Sequence, residues 1–356
     1  MRASVVKILV IGPAWVGDMI MAQVLFKCLV AEYSHLELTV VAPKSTVALA
    51  QRMPEVSRVL ALDVAHKQLG LGVRYRFAKR LRFEAFDQAI VLPNSWKSAL
   101  VPFWARIKVR TGWLGESRYG LLNDHRRLDK AAYPLMIQRF AALAFPVDSG
   151  LSDLDRSNLG LPDSLPFPVL SVDSDAQFQA LERLGLQSGR PIMVVCPGAE
   201  FGPAKRWPVE YFAQVSEWYL ERGGQVWVLG SPKESKDADA LRLAVAESAR
   251  GQLFNLAGKT SLLEAVDLMA LASVVISNDS GLMHVAAALG RPVVALFGST
   301  SPDFTPPLGP ENTIKIVATN EPCRPCFQRT CPLGHLNCLT RLMPDQVVSA
   351  VNQLGA

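Results

Sequence analysis

Residues 274–297 read VVISNDSGLMHVAAALGRPVVALF. Two short, unbroken apolar runs, VVIS and VVALF, flank a helix-like pattern of small apolar residues. Runs of that length without polar alternation suit strands buried on both faces, as in a parallel sheet covered by helices. The stretch is therefore expected to be a β-α-β unit, with strands at 274–277 and 293–297 and a helix at 282–288. Its polar step, Ser277-Asn278-Asp279-Ser280-Gly281, ends a strand and opens a helix. The N–H groups of Ser280 and Gly281 then lie at a helix N-terminus, which holds anions well, and Gly281 lets a phosphate approach closely. His284 falls one turn into the helix and reads either as a buried core residue or as a further contact to the same anion.

The same alternation extends along the chain. Upstream, 192–196 and 225–229 read as strands, with helices at 175–184, 208–221, 236–249 and 262–270. In the first half, strands are expected at 7–11, 36–41, 58–62, 89–92 and 108–111, and helices at 18–31, 45–52, 72–82 and 95–104. Between the halves, 145–168 carries Pro146, Pro162, Pro166 and Pro168 among polar residues, the composition of a linker. The expected fold class is α/β: two Rossmann-like doubly wound domains facing across a cleft, at 1–165 and 166–356, with the last helix free to pack back on the first.

Bulk properties agree with that architecture. A chain of 356 residues is too long for one ordinary core. With 49% hydrophobic and 19% charged residues, disorder is excluded. No apolar run reaches the ~18–20 residues of a membrane span. The opening MRASVVKILVIG reads as a first strand rather than a signal peptide, so a cytoplasmic protein is expected. The net charge of +5 is too diffuse to call for nucleic acid. One denser run holds Arg74, Arg76, Lys79, Arg80 and Arg82, either a solvated helix face or a contact for an anionic surface; Lys97 and Arg118 are further candidates.

Four segments offer chemistry. The first βα turn, Gly12-Pro13-Ala14-Trp15-Val16-Gly17-Asp18, lacks G-x-G-x-x-G, which disfavours NAD or FAD. Asp18 there reads as a helix N-cap or as a general base at the carboxyl edge of the sheet. After the strand at 192–196, Lys205 and Arg206 form either a diphosphate contact or a solvated basic loop. Glu234 follows the next strand and reads as a ribose contact or as a first-turn acid favoured by the helix dipole. The loop Phe297-Gly298-Ser299-Thr300-Ser301-Pro302 is a further small-residue wall.

Taken together, ILVIGPAWVGDMIMAQ (8–23), CPGAEFGPAKRWP (196–208), LGSPKE (229–234) and SNDSGLMHVAAALGRPVVALFGSTSP (277–302) resemble the ADP-heptose–lipopolysaccharide heptosyltransferases, glycosyltransferases of the GT-B type. The resemblance runs nearly the whole chain. TGWLGESRYGLLND (111–124) and PCRPCFQRTCPLGHLNC (322–338) look like the branch that adds the second heptose. It implies an inverting transfer from ADP-heptose, a substrate rather than a cofactor, with no catalytic metal. The implied acceptor is phosphorylated heptosyl-Kdo2-lipid A, bound by the N-terminal domain at the inner face of the cytoplasmic membrane, while the C-terminal domain binds ADP-heptose. Asp18 matches the general base, Lys205 the residue holding the donor phosphates, and Asp279, Ser280, Gly281 and His284 the D-[ST]-G-x-x-H motif beside the donor. Glu234 matches an acidic ribose contact. The alternatives are a transferase for the first or third heptose, or a nucleotide-sugar epimerase on the same scaffold.

One cluster stands outside this scheme. Cys323, Cys326, Cys331 and Cys338, with His335 among them, have partly metal-like spacing and read as zinc ligands, a disulfide set or packing, with a local structural role.

Overall fold

The computed structural model describes residues 5–64, 68–145 and 161–356. Two compact units divide the chain, Met1–Pro168 and Val169–Ala356. Most of the expected linker, 146–160, lies outside the described residues.

In the first unit the strands are β1 (Val6–Ile11), β2 (Leu36–Ala42), β3 (Arg58–Ala61), β4 (Gln88–Val91), β5 (Val109–Trp113) and β6 (Asp124–Arg126). They lie in the order β3-β2-β1-β4-β5-β6, and every pair is parallel. The second unit holds β7 (Ile192–Cys196), β8 (Gln225–Val228), β9 (Leu253–Asn255), β10 (Val274–Asn278), β11 (Val293–Phe297) and β12 (Ile314–Ala318). Their order is β12-β11-β10-β7-β8-β9, again parallel throughout. Both sheets are thus the parallel α/β sheets read from the sequence. Every residue of β7, β10 and β11 is buried, which is why those runs carry no polar alternation. The strands that sequence reading missed, β6, β9 and β12, are sheet edges. β6 reads DHR and no residue of β12 is fully buried, so neither shows an apolar run.

The core of the second unit forms around Trp207. Its indole stands edge-on to Phe212 at 4.8 Å and its Nε1 donates to the Leu342 carbonyl at 2.8 Å. The last helix, Pro344–Gln353, adds Val347, Ala350 and Val351 to the same cluster. It therefore packs within the second unit, because its apolar stripe is used there. Among the described residues, no helix is long and apolar enough to cross a membrane.

The strand orders locate the functional edges. Within each unit the chain lays two strands to one side of the first and then crosses back, so the order reverses between β1 and β4, and again between β7 and β10. Ligands of open parallel sheets bind beyond the carboxyl ends of strands at such a reversal. Asp18 follows β1, Lys205 follows β7 and Asp279 follows β10.

Candidate active site

In the second unit the motif residues converge. Lys205 closes the short 3-10 turn Pro203–Lys205, and its Nζ lies 2.6 Å from Oδ2 of Asp279. Only 13% of the Lys205 side chain and 4% of the Asp279 side chain are exposed, so the pair is screened far less than a surface pair. Thr300 donates its hydroxyl to the same Asp279 oxygen. The ammonium also rides over the Phe201 ring, 4.9 Å from its centre. Asn278 ties these loops together: its Oδ1 accepts from the Trp207 N–H at 3.1 Å and its Nδ2 donates to the Pro197 carbonyl at 2.6 Å.

The helix N-terminus forms where the sequence predicts it. Ser280 caps the helix Gly281–Ala288 in an extended conformation, with its hydroxyl 3.2 Å from that of Ser277. The first amides of such a helix have no partner inside it and carry the positive end of its dipole. His284 is buried one turn on, and burial holds its imidazole down at about 4; Asp279 opposes that shift and Lys205 adds to it. The ring is therefore neutral near pH 7, so His284 offers the site a hydrogen bond rather than a charge.

That burial has a consequence for acid stability. Between about 4 and 6.5 the unfolded chain takes up a proton that the native imidazole refuses, so native stability falls as pH drops through this window. The expected loss is about 2 kcal/mol between pH 7 and pH 5. Urea unfolding of the wild type and a His284→Gln variant at both pH values checks it. Identical pH dependence in the two proteins would remove His284 as the cause.

Glu234 is buried in the wall of the same edge, and its Oε2 accepts from the Ser231 N–H at 2.7 Å. It lies so close to Gly198 that a Cβ there would sit 1.7 Å from Oε1. Gly198 is thus required by close approach. The Ser231 hydroxyl is buried without a partner among the described residues. Arg206 does not join the cluster. It is exposed and pairs with Asp237 at 3.2 Å, so of the two adjacent cations only Lys205 meets Asp279.

In the first unit Trp15, not Asp18, is the N-cap of the helix Val16–Glu32. Asp18 is the third helical residue and half-buried, which corrects its reading as an N-cap. Gly12 permits the tight exit from β1, since a Cβ there would meet Met19 Cε at 2.7 Å.

The signature of glycosyltransferase family 9 (heptosyltransferase) matches residues 74–337. The chain belongs to glycosyltransferase family 9. It is 44% identical to lipopolysaccharide heptosyltransferase 2 of Escherichia coli (strain K12) over 98% of either chain. It is 46% identical to lipooligosaccharide heptosyltransferase 2 of Haemophilus influenzae, over 98% of this chain and 99% of that one. The solved structure of E. coli ADP-heptose lps heptosyltransferase II superposes with a TM-score of 0.85 at 42% identity, covering 98% of each chain. The epimerase reading finds no support.

The cluster around Asp279 also includes residues that the motifs did not announce. Thr300 sits in a loop singled out only for its small residues, while Phe201 and Asn278 carried no signal beyond adjacency to Lys205 and Asp279. The cationic run is also corrected. Arg74 is buried and its Nε donates to the Leu69 carbonyl at 2.8 Å, while Arg82 Nε donates to the Trp104 carbonyl at 2.8 Å. Arg118, only 1% exposed, binds the Pro93 and Trp113 carbonyls, and burial holds its guanidinium down at about 10. Arg76, Lys79 and Arg80 remain as the exposed cations of the helix Leu71–Leu81.

Proposed function

We propose that this family 9 enzyme transfers L-glycero-D-manno-heptose from ADP-heptose to heptosyl-Kdo2-lipid A, building the lipopolysaccharide inner core. The observation that carries the reading is the full-length similarity to heptosyltransferases 2, with Lys205, Asp279 and His284 gathered at one sheet edge. Asp18 acts as base toward the acceptor hydroxyl. Lys205 and the Ser280–Gly281 amides hold the diphosphate as it leaves, and Glu234 with the Ser231 hydroxyl faces the nucleoside. Displacement at the anomeric carbon then needs no catalytic metal, because fixed donors and a fixed cation stabilise the leaving ADP. Incubating the protein with ADP-heptose and heptosyl-Kdo2-lipid A tests the assignment by mass. Gain of one heptose on this acceptor supports it. Transfer only to Kdo2-lipid A, or ADP release without transfer, overturns it.

The same reading has the enzyme working in the cytoplasm, peripherally at the inner face of the membrane, with no nucleic-acid partner. Arg76, Lys79 and Arg80 share their helix with the exposed Tyr75, and the neighbouring Phe83 is 90% exposed. Cations beside exposed aromatic rings suit an anionic lipid surface, where each cation contributes about 1 kcal/mol. An Arg76→Gln, Lys79→Gln, Arg80→Gln triple variant is expected to raise KM for vesicle-embedded acceptor by about 100-fold at low salt. On a deacylated, dephosphorylated acceptor it should match the wild type. Equal kinetics on both substrates leaves the run as a solvated face.

A further inference from the structure

Donor-site chemistry leaves the cysteine-rich segment unused, yet all four of its cysteines border one small, partly open space. Cys323, Cys326, Cys331 and Cys338 line a cavity of about 20 Å³ together with His335 and Ser299. That volume admits one water-sized occupant. The wall is not inert. The Ser299 hydroxyl beside it is buried without a partner among the described residues. All four cysteines are free thiols. The backbone N–H groups of Leu336, Leu333, Gly334 and His335 gather on the Cys331 sulfur. Four cysteine side chains that border one small space bring four soft sulfur donors to it.

We propose that Cys323, Cys326, Cys331 and Cys338 form a tetrathiolate site for zinc or a similar thiophilic divalent cation, and that the filled site braces one wall of the donor pocket. Two of the four form a C-x-x-C pair, and four sulfurs suit a tetrahedral closed site. Among the described residues no three Cys, His, Asp or Glu side chains already stand as a metal cluster. The ion therefore draws the sulfurs inward by small side-chain rotations of Cys323, Cys326 and Cys331, which are only half-buried. Coordination releases the four thiol protons to solvent and leaves an [M(S-Cys)4]2− centre.

The link to the donor pocket runs through backbone hydrogen bonds. Arg324, inside the C-x-x-C pair, donates to the carbonyls of Gly298, Thr319 and Thr300. The Phe327 N–H donates to the Ser299 carbonyl at 2.8 Å, and the Ala204 N–H to the Arg329 carbonyl at 3.1 Å. Gly202 lies so close that a Cβ there would meet that carbonyl oxygen at 2.4 Å. Arg329 covers the Phe201 ring at 5.2 Å, the same ring on which Lys205 rests. Residues 323–329 thus hold the backbone that presents both Thr300 and Lys205 to Asp279.

The bracing role rests on the proposed donor site, whereas the metal site does not, and the experiment keeps the two apart. The full-length protein, purified anaerobically with reductant and incubated with Zn2+, is assayed for metal after desalting. The expected content is about one zinc per chain, falling to near zero in Cys326→Ser and Cys331→Ser variants. Wild type loaded with Co2+ should show thiolate-to-cobalt absorption and the visible bands of a tetrahedral sulfur site, a readout that needs no variant to fold. Loading should also strengthen ADP binding about tenfold over protein stripped with a mercurial and chelator. Failure to retain either ion, with all six thiols titrating as free, overturns the site. Stoichiometric metal without any change in ADP affinity overturns only the bracing role.

Discussion

Replacing Lys205 with alanine is expected to weaken ADP binding by about 10²–10³-fold and to lower kcat as well. Two effects combine in this variant. The phosphate loses its fixed cation, and Asp279, with only 4% of its side chain exposed, keeps a buried negative charge facing the same pocket. Breaking a buried pair from one side costs roughly 3–5 kcal/mol, because the remaining charge is uncompensated. A Lys205→Ala, Asp279→Asn double variant should therefore recover part of the ADP affinity, although it has lost more of the motif. Thr300 keeps its place in both variants, since its hydroxyl can donate to either oxygen-bearing side chain. Calorimetry with ADP measures both proteins. Unchanged affinity in the single variant would move the phosphate contact away from Lys205. With the cation supplied by the chain, EDTA present only during the assay should leave the wild-type initial rate unchanged.

The second large effect is expected at Asp18. Asp18→Asn preserves shape and removes the proton acceptor, so kcat should fall by about 10²–10⁴ while ADP affinity stays within a few-fold. Loss of the carboxylate from the first turn of the helix Val16–Glu32 costs about 0.3–1 kcal/mol of favourable dipole interaction, too little to unfold the protein. A variant that turns over near the wild-type rate, with only a slightly lower melting temperature, would make Asp18 a helix-stabilising residue alone. Steady-state kinetics under saturating donor distinguish the outcomes.

Much of this was legible in the chain itself because it depends on neighbours in sequence. The unbroken apolar runs of β1, β7, β10 and β11 mark strands buried on both faces, and their alternation with helices implies parallel sheets. Likewise, the step from Asn278 to Gly281 is local, so a helix N-terminus could be read there directly. The edge strands β6, β9 and β12 were hidden because β6 and β9 have only three residues each and no residue of β12 is fully buried, whereas the edge strand β3 was read.

Tertiary structure decided which side chains meet. Lys205 and Asp279 are 74 positions apart, and only the pairing of β7 with β10 brings their loops together. Its neighbour Arg206 looks identical by composition, yet the turn of the backbone sends it to Asp237 instead. The cations of the helix Leu71–Leu81 divide for the same reason. Arg74 shares the buried stripe of Phe77, Ala78 and Leu81, while Arg76, Lys79 and Arg80 fall on the solvent side. Sequence by itself determined the parallel α/β sheets and the family, because both are written in local pattern and order. Partnership, burial and charge state at the site were decided by packing, because desolvation and ion pairing depend on what the fold brings within a few ångströms.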